Sequence, residues 1–187
     1  DQEQKEYLNI IESESRRLAY MATNVLNLTK VENQAILTDI TTFNLSEQLR
    51  KSVLLLEAKW EKKNLEMSLE LEEHTITGNQ ELLSQVWVNL LDNAIKFSPE
   101  GQTVEISASE EENSIAVSIT NTGSFIPEDQ LEAIFRKFYQ ADHSHNTEGN
   151  GIGLAVVKRV VELHGGSIHV ESSASFTKFT VTLPKNK

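Results

Sequence analysis

The chain has 187 residues, a net charge of −11, 39% apolar side chains and no cysteine. That length holds one ordinary domain with a full core plus an appendage, and the missing cysteines exclude disulfides, thiolate metal sites and a cysteine nucleophile. The acidic balance argues against a nucleic-acid or anionic-membrane surface, and no run of about 18 apolar residues offers a membrane span.

Residues 3 to about 33 read as one long helix. Ile11, Leu18, Met21, Val25 and Leu28 recur at alternating long and short heptad steps, the a/d seam of a coiled coil or bundle, and charged residues such as Glu12, Arg16 and Arg17 fill much of the rest. A lone helix cannot bury such a seam, so the pattern predicts a partner helix outside this sequence; packing on its own domain is the alternative. Asp1 falls inside the helical pattern, which suggests a piece of something longer. The polar, threonine-rich stretch Asp39–Asn44 breaks the helix and divides the chain into residues 1–41 and 42–187.

Beyond the break the period alternates. Asn44 with Glu47 resembles a capping pattern before a helix carrying Leu49, Val53, Leu56 and Trp60. Leu65, Met67, Leu69 and Leu71 alternate as a one-faced strand, and Gly78-Asn79 reads as a turn. A helix follows from about Gln80 to Phe97, stopped by Ser98-Pro99-Glu100-Gly101. Val104, Ile106 and Ala108, then Ile115, Val117 and Ile119, predict two more strands. A short helix near Glu128–Lys137 and a polar loop at Ala141–Asn150 lead to a helix at Gly153–His164, ended by Gly165-Gly166. Strands near Ser167–Ser172 and Phe176–Leu183 close the chain. Helices interleaved with one-faced strands predict a two-layer α/β sandwich, helices on one side of a mixed sheet.

Two segments carry chemistry. Gly149-Asn150-Gly151-Ile152-Gly153-Leu154 opens a helix, and glycines there let backbone N–H groups and the helix dipole approach an anion. No Gly-Lys-Ser/Thr follows, so it is not a P-loop, and a polar loop rather than a strand precedes it, unlike a dinucleotide fold. In Asn89-Leu90-Leu91-Asp92-Asn93-Ala94-Ile95-Lys96-Phe97, Asn89, Asn93 and Lys96 share one helical face. Asparagine is a poor helix-interior residue, so two on one face suggest that their amides are used. Amide oxygens suit Mg²⁺, and a lysine on that face can neutralise phosphate.

Taken together, these segments resemble the sensor histidine kinases, within the wider group of ATPases that includes gyrase and the Hsp90 chaperones. Asn89–Phe97 resembles the N box of that family. Asn121-Thr122-Gly123 followed by Ile126-Pro127 resembles its G1 box, Ile134-Phe135-Arg136-Lys137-Phe138 its F box, and Gly149–Leu154 its G2 box, with His164-Gly165-Gly166 as the usual helix exit. The long first helix, through Ile10-Ile11-Glu12-Ser13-Glu14-Ser15-Arg16-Arg17-Leu18, is similar to the second helix of the family's dimerisation hairpin.

The resemblance implies a histidine kinase/gyrase/Hsp90-type ATP-binding fold behind a bundle helix, with ATP and Mg²⁺ as ligands. It implies that Asn93 holds the metal and, with Lys96, acts catalytically. Nucleotide contacts fall to Asn89, Asn93, Lys96, Phe97, Asn121, Gly123, Ile126, Phe138, Gly149, Gly151, Ile152, Gly153 and Leu154. Ala141–Asn150 is then a mobile lid, anchored by Phe135 and Phe138 if these are not simply core aromatics. Asn121 and Phe125 depart from the family's usual aspartate and glycine, and Ser173-Ala174-Ser175 shortens its last turn. The implied partners are a response-regulator receiver domain, the chain's own dimerisation hairpin and a second copy, in the cytoplasmic part of a membrane-bound sensor.

Gyrase-like hydrolases place a glutamate four residues before the metal asparagine, where Asn89 stands, so water lacks an evident base and phosphoryl transfer is favoured. None of the five histidines fits the family's acceptor, which places that residue on a helix outside these residues. A non-catalytic nucleotide-sensing module and a gyrase-type hydrolase are the competing readings.

Overall fold

The computed structural model describes residues 2–140 and 151–185; the side chains of Glu3, Ser13, Arg16, Arg17, Tyr20 and Asn27 and the expected lid, with Gly149, lie outside that description. Helix α1 (Gln2–Asn33) leads into strand β1 (Ile40–Asn44), helices α2 (Leu45–Leu55) and α3 (Glu57–Lys62), and strands β2 (Glu66–Leu71) and β3 (Thr75–Asn79). Helix α4 (Gln80–Phe97), strands β4 (Thr103–Glu110) and β5 (Ser114–Thr122), helix α5 (Gly153–Leu163), and strands β6 (Ser167–Ser172) and β7 (Phe176–Pro184) complete the order. A five-stranded sheet runs β2-β4-β5-β7-β6, with β2 parallel to β4 and every other pair antiparallel. It is the mixed sheet of a two-layer sandwich.

Alternation fixes which face meets the helices. Val104, Ile106 and Ala108, then Ile115, Val117 and Ile119, and then Phe179, Val181 and Leu183 are buried, while their neighbours Ser107, Ser118 and Thr180 occupy the opposite, half-exposed face. Onto the buried face pack Leu83, Val86, Trp87, Leu90 and Leu91 of α4 and Val156, Val157, Val160 and Val161 of α5. Each fully buried side chain of this kind contributes roughly 1.5–3 kcal/mol.

Both ends of α4 are fastened by polar groups. At its start Asn79 Oδ1 accepts from Leu82 N–H at 2.9 Å, a side-chain N-cap. The backbone N–H of Asn79 donates to Nε2 of the buried His164 at 3.0 Å, and His164 Nδ1–H donates to the Val160 carbonyl at 2.8 Å, which fixes the ring's tautomer. In its middle the buried Trp87 Nε1–H donates to Gln48 Oε1 at 2.8 Å, and Gln48 Nε2 donates to the Gln80 carbonyl at 2.7 Å.

Several local expectations change. Asp39–Asn44 is not only a break, because Ile40–Asn44 pairs antiparallel with Thr75–Asn79 in a separate two-stranded sheet. Gly78-Asn79 is accordingly the end of a strand rather than a turn, and glycine stands there because a Cβ at position 78 meets His164 Cδ2 at 2.8 Å. The helix expected through Leu56 and Trp60 is split at Leu56, and the Val53 carbonyl accepts from Leu56 N–H at 3.1 Å and from Trp60 Nε1–H at 3.0 Å. Glu128–Lys137 forms two 3₁₀ turns, Glu128–Gln130 and Ala133–Phe135, not one helix. Along α1 the seam is mostly open: Ile11 is 61% and Leu18 64% exposed, whereas Leu28 and Val31 at its C-terminal end are buried. There Arg159 of α5 donates to the Gln34 carbonyl at 2.9 Å, and Lys137 pairs with Glu32.

Replacing Gln48 by leucine leaves the buried Trp87 indole N–H without a partner. Stability in urea should fall by about 1–3 kcal/mol; a change under about 0.5 kcal/mol contradicts this account of the α2–α4 contact.

Candidate functional site

The site gathers where the C-terminal half of α4 meets the N-terminus of α5. On α4, Asn89 and Asn93 are half-buried on the face turned away from Leu90, Leu91 and Ala94, as a 3.6-residue period requires. Asn89 Oδ1 lies 3.0 Å from the position a Cβ would take on Gly153, so the helix start approaches α4 closely. Among the described residues no side chain caps α5, and the N–H groups of Gly153, Leu154 and Ala155 lie beyond the reach of the helix's own carbonyls. This end is open to an anion and carries the positive end of the helix dipole. Ile152 is fully buried and Leu154 half-buried, which fixes the turn from below.

Gly151 sets the entry. Its φ is +66°, and a Cβ there would sit 2.5 Å from the Tyr139 carbonyl oxygen, so no other residue fits without displacement. Its carbonyl accepts from Phe138 N–H at 2.9 Å. Phe138 itself has a φ of +61° and is 63% exposed, so it is not a core aromatic. Phe135 is one: it is half-buried, edge-on to Phe179 with ring centroids 6.4 Å apart. The polar loop at 141–150, with Gly149, lies outside the described residues.

The second half of the site is the end of β5. Asn121 occupies a position where alternation demands an apolar residue and is buried. Its amide Nδ2 donates to the Thr122 carbonyl at 3.2 Å and to Ser124 Oγ at 3.0 Å, which leaves the amide oxygen as the acceptor. Thr177, directly across on β7, is also buried; its Oγ1 donates to the Ser124 carbonyl at 2.7 Å and lies 2.7 Å from Ser172 Oγ. Ser172 Oγ accepts from Ile126 N–H at 2.9 Å. Thr177 escaped the sequence reading, although it interrupts the apolar series Phe179, Val181, Leu183 in the same phase.

Gly123, with φ +83°, joins the halves. A Cβ there would clash with Cγ of Pro99, in α4's exit turn. Lys96 sits above Phe97, its Nζ 4.8 Å from the ring centroid, and Phe97 is 46% exposed. Asp92, the carboxylate on this stretch of α4, is engaged by Lys59 at 2.5 Å. The carboxylates held below their ordinary range lie at the other end of the sheet. Hydrogen bonds from Asn44 and then Arg50 lower Glu73, and Lys185 lowers Glu110. Both favour the folded state above the ordinary carboxylate range and lose that effect as pH falls through their depressed values.

Comparison with known proteins places the chain in a family. Residues 78–187 match the family model described as histidine kinase-, DNA gyrase B-, and HSP90-like ATPase. The chain is 33% identical to the probable sensor kinase SilS of Salmonella typhimurium, over 99% of this chain and 39% of SilS. It is 31% identical to the sensor histidine kinase CusS of Escherichia coli K12, over 97% of this chain and 39% of CusS. It therefore spans about two fifths of the length of these curated relatives. Among solved structures, the histidine kinase ThkA in complex with the response regulator protein TrrA superposes with a TM-score of 0.79 at 28% identity, covering 96% of this chain and 50% of that one.

Gly151→Ala places a methyl group in a left-handed backbone against the Tyr139 carbonyl. Chemical unfolding should show a loss of about 1–3 kcal/mol, and an unchanged midpoint would mean that the Phe138–Gly151 clasp is not as tight as described.

Proposed function

The chain belongs to the histidine kinase-, DNA gyrase B- and HSP90-like ATPases, and we propose that it is the catalytic part of a sensor histidine kinase and transfers the γ-phosphoryl group of Mg-ATP to a histidine carried outside these residues. The observation that carries this reading is the close meeting of Asn89 on α4 with Gly153 at the uncapped start of α5. That arrangement offers unpaired backbone donors and amide oxygens within one cleft, the groups a polyphosphate and a hard cation need.

The residues fit the metal. Asn93 makes no side-chain hydrogen bond among the described residues, so its oxygen is free to ligate. Among those residues no cluster of three or more acidic or histidine side chains could hold a cation alone. A cation held by phosphate oxygens, water and one amide is the arrangement Mg²⁺ favours. When bound, it supplies charge neutralisation on the phosphates.

In this reading the N–H groups of Gly153 to Ala155 and the Lys96 ammonium hold the phosphates, while the Asn121 oxygen accepts from the adenine amino group. Phosphoryl transfer breaks the bond between the γ-phosphorus and its bridging oxygen and forms a phosphorus–nitrogen bond to imidazole, and ADP departs. The protein's part is position and charge rather than covalent chemistry. Asn89 stands where a hydrolase needs a glutamate, and Asp92 is bound to Lys59, which favours transfer over attack by water.

His74 and His164 are buried and His169 lies on β6; His143 and His145 fall outside the described residues. The acceptor is thus assigned to a partner helix, against which the open seam of α1 would pack in a bundle shared by two copies. A response-regulator aspartate would then take the phosphoryl group; the related histidine kinase ThkA forms a complex with the response regulator protein TrrA. No helix among the described residues is long and apolar enough to cross a membrane, and we place this part of the protein in the cytoplasm, with residues 1–41 as hairpin helix and linker and 42–187 as the catalytic unit.

The test supplies the histidine-bearing hairpin with labelled Mg-ATP. Acid-labile, alkali-stable label should appear on the hairpin and fall on the order of 100-fold in Asn93→Ala. Binding without transfer would favour a nucleotide-sensing module, and steady phosphate release without the hairpin would favour a hydrolase.

A further inference from the structure

Helix α4 ends in an unusual way for the helix that carries the metal asparagine. Ser98 precedes Pro99 and is extended, with φ −72° and ψ 135°, as a residue before proline must be. The left-handed glycine that commonly recaptures the last carbonyls of a helix is therefore absent at this end. Ala94 is satisfied locally: Ser98 N–H donates to its carbonyl at 3.0 Å and Ser98 Oγ at 2.7 Å. The next carbonyls are taken by a side chain more than thirty residues earlier. Lys63 Nζ donates to Ile95 O at 2.8 Å, to Lys96 O at 2.7 Å and to Ser98 O at 2.7 Å. All three protons of one ammonium are thus used, at the negative end of the helix dipole.

The backbone around Lys63 is held to the same turn. Gly101 N–H donates to the Lys63 carbonyl at 3.0 Å, Glu66 N–H donates to the Gln102 carbonyl at 2.9 Å, and Asn64 Nδ2 donates to Glu100 Oε1 at 2.8 Å. Asn64 adopts φ +51° to make this turn. The exit turn then passes through Pro99 to its contact with Gly123, beside Asn121.

We propose that Lys63 is a positioning residue for the phosphate and metal site: its ammonium locks the last turn of α4, and with it the directions of Asn93 and Lys96. Asn93 lies two residues before the first carbonyl that Lys63 holds, and Lys96 carries the second. Lys63 touches neither nucleotide nor metal in this arrangement; it acts through the helix end. Loss of the ammonium frees two carbonyls of the final turn, lets it fray, and blurs the amide that the cation needs. This inference rests on the Mg-ATP reading above.

The chain's lack of cysteine permits a clean test. In Lys63→Cys the new thiol can be converted with 2-bromoethylamine to a side chain that again ends in an ammonium at lysine length. The quantity read is the ratio of ATP dissociation constants without and with Mg²⁺. In wild type the ratio should exceed about tenfold; Lys63→Cys should lower it by about tenfold, and aminoethylation should restore it to within about threefold. A merely structural role would lower the unfolding temperature and weaken both constants alike, leaving the ratio unmoved, and that result overturns the proposal. If Lys63→Cys does not fold, Lys63→Gln, which keeps two donors, should give an intermediate ratio, and an unchanged one overturns the proposal equally. A wild type that binds no ATP, or binds it equally without Mg²⁺, instead refutes the functional reading, and the proposal falls with it.

Discussion

Everything at the site depends on the rotation of α4 about its own axis. One stripe of the helix, through Leu83, Trp87, Leu90, Leu91 and Ala94, is buried on the sheet, and the stripe beside it carries Asn89, Asn93 and Lys96. A slip of one residue turns a helix by about 100°, which would bury amides and expose leucines. Packing alone resists that slip, and directed polar contacts make it specific: Asn79 and His164 at the start, Gln48 on Trp87 in the middle, and Lys63 at the end. The apolar contacts supply most of the stability, while the polar ones select one register.

The same logic explains how an acidic chain can offer a phosphate site. A net charge of −11 repels polyphosphate at long range, so the attraction has to be local. In the proposed site it comes from the start of α5, whose N–H groups and dipole need no charged side chain, together with Lys96. Nearby negative charge is compensated, Asp92 by Lys59. At the far end of the sheet Arg50 and Lys185 neutralise Glu73 and Glu110. These exposed pairs lie away from the cleft and add little to stability.

What the sequence made legible followed from local rules. The bounds of α4 could be read from its period and from Ser98-Pro99, and β4, β5 and β7 from strict alternation. The Asn44 cap was visible as a pattern, and Asn44 Oδ1 accepts from Glu47 N–H at 2.8 Å. What failed depended on partners distant in sequence. Strand β1 exists because Phe43 and its neighbours find β3, and nothing within Ile40–Asn44 announces that pairing. Gly78 looked like a turn because the ring of His164, which it accommodates, lies far along the chain. The 3₁₀ turns at Glu128–Gln130 and Ala133–Phe135 lacked the length for their period to separate them from an α-helix. Lys63 carried no signal, since one lysine among many reveals its three carbonyl partners only after folding. The α1 seam was legible and remains open over Ile11 and Leu18, in keeping with a helix that needs a partner.

The most direct test of the account is an amide map of nucleotide binding. Mg-ATP added to ¹⁵N-labelled protein should shift the backbone amides of Gly151 to Ala155 and the side-chain amides of Asn89, Asn93 and Asn121. Those of Asn44 and Asn79, which cap helices away from the cleft, should stay in place. Shifts that leave Gly151 to Ala155 and Asn93 unmoved, with or without binding elsewhere, would contradict the claim that the face of α4 and the start of α5 form one phosphate site.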